Sequence, residues 1–143
     1  MTKKHILSEA QIVYNSSDKN SIFYVIQAVR EGIDYTRFKK IVSKIPYDIE
    51  DWSYLLNLSL RTMQRYKKDN QTFSPIHTEK ILEITMLFNF GKEIFGDEQS
   101  FNTWLSTRNV AMGGIVPKEW LDNTFGINFI KDELVRIEHI VLA

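Results

Sequence analysis

Apolar residues recur along this chain three and four positions apart, and polar clusters interrupt them at short intervals. That period puts the apolar positions on one face of a helix. A first stripe, Ile22, Val25, Ile26 and Val29, stops at Gly32, which suits the left-handed position after a helix end. Asp34 suits the cap of a second helix carrying Phe38, Ile41, Val42 and Ile45, with Lys39, Lys40 and Lys44 on its other side. Pro46 closes it, because the residue before proline avoids the α region. Asp48 heads a third helix (Ile49, Trp52, Leu55, Leu56) and Ser59 a fourth (Leu60, Met63, Tyr66). After a polar break at residues 69–72, Ser74-Pro75 predicts the start of a long helix reaching about Phe95 and stopping at Gly96. Its apolar residues circle most of the axis, so it is expected to be buried, as the spine of the fold or as half of a dimer interface. Asp97 heads a short helix bearing Phe101, Trp104 and Leu105. Residues 106–116 read as irregular, with a tight turn at Gly113-Gly114. Pro117 is predicted to open a helix through Trp120 and Leu121 that ends at Gly126. A final helix carries Ile130, Leu134, Ile137 and Val141. No strand alternation occurs, so the expected fold is all-α, with about seven or eight helices.

Residues 48–68 have the dimensions of a helix-turn-helix, two short helices joined by about three residues. Ser53 is small where the helices must cross, and Asn57 at the turn tolerates the left-handed conformation. Leu56, Leu58 and Met63 fill the space between them. Arg61, Gln64, Arg65 and Lys68 then share one outward face, flanked by Thr62 and Lys67. Arginine reads guanine edges, glutamine reads adenine, and lysine and threonine serve phosphates. The candidate DNA-binding residues are therefore Ser59, Arg61, Thr62, Gln64, Arg65, Lys67 and Lys68.

Charge strengthens that assignment only when it is divided along the chain. The total is balanced, with 18 Lys and Arg against 18 Asp and Glu. Residues 59–68 hold four basic residues and no acid, residues 1–47 eight basic against four acidic, and residues 74–143 six basic against ten acidic. A basic N-terminal half joined to an acidic C-terminal half fits a DNA-binding module attached to something else. The absence of cysteine excludes disulfide scaffolds, thiol catalysis and cysteine-based zinc or iron–sulfur sites. His5, His77 and His139 have no partners at metal spacing, and His77-Thr78-Glu79 lacks the cysteines of a zinc deaminase. Gly113-Gly114 lacks a phosphate-loop context, and no nucleophile motif is present. The expectation is no enzyme: no catalytic residue, no metal and no cofactor. With no secretory signal and no long apolar span, a soluble cytoplasmic protein without a membrane partner is expected. A homodimer is expected from the apolar surplus of the long helix and because helix-turn-helix proteins read two half-sites.

Residues 97–143, with Phe95-Gly96 before them, resemble the C-terminal toxin-binding domain of the Xre/MbcA/ParS antitoxin family. The resemblance rests on Phe95-Gly96-Asp97, Trp104-Leu105, Asn109, Met112-Gly113-Gly114, Pro117, Leu121, Thr124, Gly126, Ile130, Leu134, Arg136 and Ile137. Upstream, residues 60–66 look like the family's recognition helix, and Phe73-Ser74-Pro75 with the long helix also fits. This resemblance implies a type II antitoxin whose helix-turn-helix binds its own promoter and whose C-terminal domain inactivates a toxin, often of the NAD-consuming RES-domain class. The implied organisation is a flexible arm at 1–19, an Xre-like helix-turn-helix domain at 20–73, a connecting and dimerisation helix at 74–96 and a toxin-binding domain at 97–143. Toxin contacts are then expected at Arg108, Asn109, Gly113, Gly114, Pro117, Trp120, Ile140 and Ala143. Trp104 is expected in the core, whereas Trp120 is open to either role. Arg108 and Ile140 stand where the family often has proline and glycine. Two other function classes remain beside this one: a stand-alone dimeric transcription regulator, and a small enzyme or ligand-binding protein.

Overall fold

The computed structural model describes residues 19–142. Ala143 and the expected arm lie outside them, except that Lys19 already begins the first helix. Among the described residues seven α-helices follow one another: α1 (Lys19–Glu31), α2 (Tyr35–Ile41), α3 (Ile49–Leu56), α4 (Leu60–Asp69), α5 (Pro75–Phe95), α6 (Glu98–Ser106) and α7 (Thr124–Leu142). Two single 3-10 turns, Val110–Met112 and Pro117–Trp120, lie between α6 and α7. Among the described residues, extended pairing is confined to isolated bridges, Asp34 with Thr72 and Asn109 with Ile115.

The five caps legible in the sequence all form. Asp34 accepts from the Arg37 N–H, Asp48 from Asp51, Ser59 from Thr62, Ser74 from His77 and Asp97 from Ser100. Asp48 and Asp51 cap each other reciprocally. Each such cap typically contributes about 1 kcal/mol by satisfying N–H groups that the helix leaves without partners.

Helix α5 is the floor on which α1, α6 and α7 pack, with α3 against it as well. A chain of ring contacts crosses the molecule. Phe38 meets Phe73 at 5.1 Å and Trp52 at 5.3 Å, Tyr47 meets Trp52 at 6.2 Å and Phe88 at 5.3 Å, and Phe88 meets Phe101 at 5.0 Å. Phe101 then stacks on Trp104, which is half-buried against the core as expected. Gly91 permits the close approach of α5 and α6, since any side chain there would overlap the Phe101 ring.

Several expectations from periodicity are corrected by these contacts. The apolar surplus of α5 is used inside the chain: Ile81, Leu82, Ile84, Leu87 and Phe88 are buried, so the helix needs no second copy to cover them. Its first-turn Ile76 alone among these apolar residues is strongly exposed. In α1, Ile22 and Ile26 face outward, while Ser21 and Ala28 are buried and Val25 and Val29 pack partly on the core. The surface offered by α5 decides which stripe of α1 is covered. Val141 is exposed too, because α7 runs on past the elements that bury Ile130 and Leu134. Pro117 opens a single 3-10 turn instead of a helix, and Gly126 ends nothing: it sits in the first turn of α7.

Candidate nucleic-acid interface and partner surface

The helix-turn-helix consists of α3, the turn at residues 57–59, and α4. Asn57 adopts the left-handed conformation at φ 55° and closes α3. The Ser53 hydroxyl donates across the turn to the Leu58 carbonyl, so its small side chain both permits and fixes the crossing. Met63 is fully buried beneath α4, and Tyr66 packs on Phe73 at 5.1 Å. At the far end Asn70, at φ 48°, accepts from both the backbone N–H and the hydroxyl of Thr36, 2.9 Å each. The helix is thus pinned at its start, middle and end.

Arg61, Gln64, Arg65, Lys67 and Lys68 are all exposed, and among the described residues none of these cations is in an ion pair. Thr62 and Ser59 are joined by a 2.8 Å hydroxyl bond within the cap. A helix pinned in this way, with an exposed and unneutralised cationic face that begins at Arg61 in its first turn, suits the major groove of DNA.

The segment between α6 and α7 is built by the residues expected to contact a toxin. The Asn109 side chain accepts from the Met112 N–H at 3.2 Å, and its backbone pairs with Gly114 and Ile115. Gly113 and Gly114 hold φ 81° and 84°, which non-glycine residues rarely adopt. Pro117 is buried. These four residues shape the loop. Arg108, Trp120 and Ile140 lie on its surface or on α7, and the Arg108 guanidinium passes over Gly114. Asn123 accepts from the Gly126 N–H at 2.8 Å, and the Trp120 carbonyl seats directly against the Gly126 backbone.

Residues 118–122 also grip the helix-turn-helix, which sequence reasoning missed. Lys118 Nζ pairs with Asp51 at 2.9 Å and lies 4.5 Å from the centre of the Tyr47 ring. The Tyr54 hydroxyl donates to the Glu119 carbonyl at 2.7 Å. The Asp122 carbonyl accepts from Asn57 at 3.2 Å and from Lys80 Nζ at 2.6 Å. Phe125 and Phe129 were missed as well. Their spacing of four, off the buried register of Ile127, Ile130 and Leu134, is the signal that would have shown them.

Burial by itself would raise the Asp51 carboxyl, but the Lys118 hydrogen bond and charge, with the Asp48 N–H, outweigh it and hold it below the ordinary value of 3.8. The folded chain therefore keeps this carboxylate charged at lower pH than the unfolded chain does. Its stabilisation is complete above 3.8 and is lost as pH falls through that value and below. Thermal melts taken from neutral pH to about pH 3 are expected to fall less steeply for Asp51→Asn than for the wild type. Identical slopes would show that the clamp carries no pH-linked stability.

Among the described residues no cluster of His, Asp and Glu has the makings of a metal site, and no helix is long and apolar enough to cross a membrane. Comparison with curated proteins gives no match. A model of the antitoxin Xre-like helix-turn-helix domain matches residues 25–85. A model of the antitoxin Xre/MbcA/ParS C-terminal toxin-binding domain matches residues 91–139. Neither is an enzymatic family. The first match takes in α2 to α4 with about half each of α1 and α5, and the second takes in the 118–122 clamp and nearly all of α7. With a DNA-binding helix-turn-helix followed by a toxin-binding domain across one shared helix, the chain belongs to the Xre/MbcA/ParS family of antitoxins.

Proposed function

We propose that this protein is a type II antitoxin that neutralises a cognate toxin by covering its active site and represses its own operon through α4. One observation carries the reading: the unpaired cationic face of α4 belongs to a helix-turn-helix that is bonded through Asp51, Tyr54 and Asn57 to the matched toxin-binding domain. In this reading residues 20–73 form the DNA-binding unit and residues 97–143 the toxin-binding unit, with residues 74–96 shared. The toxin is of the NAD-consuming RES-domain class, and inhibition is steric. Two copies bind two operator half-sites in the cytoplasm, although the packing of α5 no longer supplies a reason for pairing through that helix. The test is co-purification with the product of the adjoining gene, combined with gel-shift titration on the upstream DNA. Operator binding without any toxin complex would leave the stand-alone dimeric regulator.

Arg108, Ile140 in the last turn of α7, and Ala143, which lies outside the described residues, are proposed to close the toxin's cleft. Arg108 is exposed and Ile140 is 75% exposed, so changing them spares the core. Arg108→Glu combined with Ile140→Asp is expected to lower growth rescue of toxin-expressing cells at least tenfold, a loss of about 1.4 kcal/mol, while promoter repression persists. Intact rescue would place the blocking surface elsewhere.

A further inference from the structure

Among the described residues five large aromatic side chains are exposed: Phe23, Tyr54, Trp120, Phe125 and Phe129. Tyr54 is used in the clamp on Glu119 and Phe23 stands apart on α1, whereas Trp120, Phe125 and Phe129 lie close together where the second 3-10 turn meets the start of α7. Trp120 and Phe129 hold their rings 5.2 Å apart, and Phe125, one helical turn before Phe129, is 88% exposed. Single exposed apolar residues are ordinary, but a contiguous aromatic patch marks an interaction surface.

The backbone beneath this patch is fixed from behind. The Trp120 carbonyl is seated on Gly126, and its neighbours Lys118, Glu119 and Asp122 are bound to α3, the turn and α5. The fold therefore fixes the backbone that carries these rings, and Phe125 in particular contributes almost no buried area to the fold. A preorganised aromatic surface loses little freedom on binding, which is the property of an interface anchor. At its rim, Glu119 and Asp132 are exposed and, among the described residues, unpaired. Lys118 is engaged with Asp51, so it does not neutralise them.

The geometry points to Trp120, Phe125 and Phe129 as a toxin-docking anchor, separate from the blocking end of α7, that fills an apolar cleft bordered by basic side chains. This rests on the antitoxin reading. The occupant is the toxin because all three residues lie inside the segment matched as a toxin-binding domain, and because the acidic rim calls for a basic partner surface.

The test uses the full-length chain and a catalytically inactive variant of the toxin encoded beside it. Phe125→Asp and Phe129→Ser are each expected to weaken the complex roughly 30-fold or more, the scale of an interface hot spot. Operator affinity is expected to stay unchanged in both, and the melting temperature to stay unchanged in Phe125→Asp, whose ring is 88% exposed. Phe23→Ser, which removes an exposed aromatic from α1, is expected to leave toxin affinity intact. Glu119→Lys with Asp132→Lys is expected to slow association at low salt, as loss of steering requires. Toxin affinity unchanged in both phenylalanine variants, while the wild type binds, would overturn the anchor and leave the antitoxin reading standing. A wild type that forms no toxin complex would overturn both. A change of oligomeric state in the phenylalanine variants without toxin would assign the patch to a second copy of this chain and also overturn the proposal.

Discussion

Replacing Arg61 and Arg65 together by alanine is expected to weaken operator binding by roughly 2–6 kcal/mol per half-site, because each arginine bidentate to a guanine contributes roughly 1–3 kcal/mol. Arg61 leaves the first turn of α4 and Arg65 its middle, both on the face opposite buried Met63. Asn57 and Asn70 hold the two ends of the helix, so removing surface side chains does not release it. The melting temperature is therefore expected to remain within experimental error. Lys68→Ala, lying one turn further along, is expected to weaken all sequences alike and to flatten the salt dependence, as a phosphate contact would. Gel-shift titrations at two salt concentrations separate the cases. A folded double-arginine variant with unchanged affinity would remove α4 from the reading role.

Gly126→Ala is expected to destabilise the fold by roughly 2–4 kcal/mol, or to lower the melting temperature by roughly 7–13 °C for a chain of this length. Helix propensity predicts the opposite sign. Gly126 has no positive φ and lies inside α7, where alanine ordinarily gains up to about 1 kcal/mol over glycine. Space decides against it. A methyl group at this position would overlap the Trp120 carbonyl, whose carbon lies 2.7 Å from where it would sit and whose oxygen is nearer still. That carbonyl cannot move freely, because the residues around it are tied to Asp51, Tyr54 and Asn57. The overlap must be relieved by lifting the 3-10 turn from α7 or by loosening the clamp on the helix-turn-helix, and either costs more than propensity returns. A variant as stable as the wild type would show that the turn does not seat on α7.

The caps, the turn asparagine and the outward face of α4 were legible in the sequence because each depends on residues within a few positions of one another. An aspartate or serine before an apolar stripe satisfies N–H groups three residues away, wherever the helix later packs. Arg61, Gln64, Arg65 and Lys68 share a face by helix geometry alone, and buried Met63 is fixed on the other. The paired glycines at residues 113–114 were legible for the same reason. What periodicity could not settle was which apolar positions would be covered. Ile22, Val25, Ile26 and Val29 read as one stripe, yet only contact with α5 decides that the valines are partly covered and the isoleucines are not. The girdle of α5 is equally compatible with a partner chain and with the chain's own α1, α6 and α7, and the tertiary packing chose the second. Gly126 reads locally as a stop and is in fact a seat for a carbonyl six residues earlier. The clamp of Lys118 on Asp51, and of Asp122 on Asn57 and Lys80, joins residues 42 to 67 positions apart. Local pattern carries no record of such pairs, because their energy exists only once the helices between them have packed.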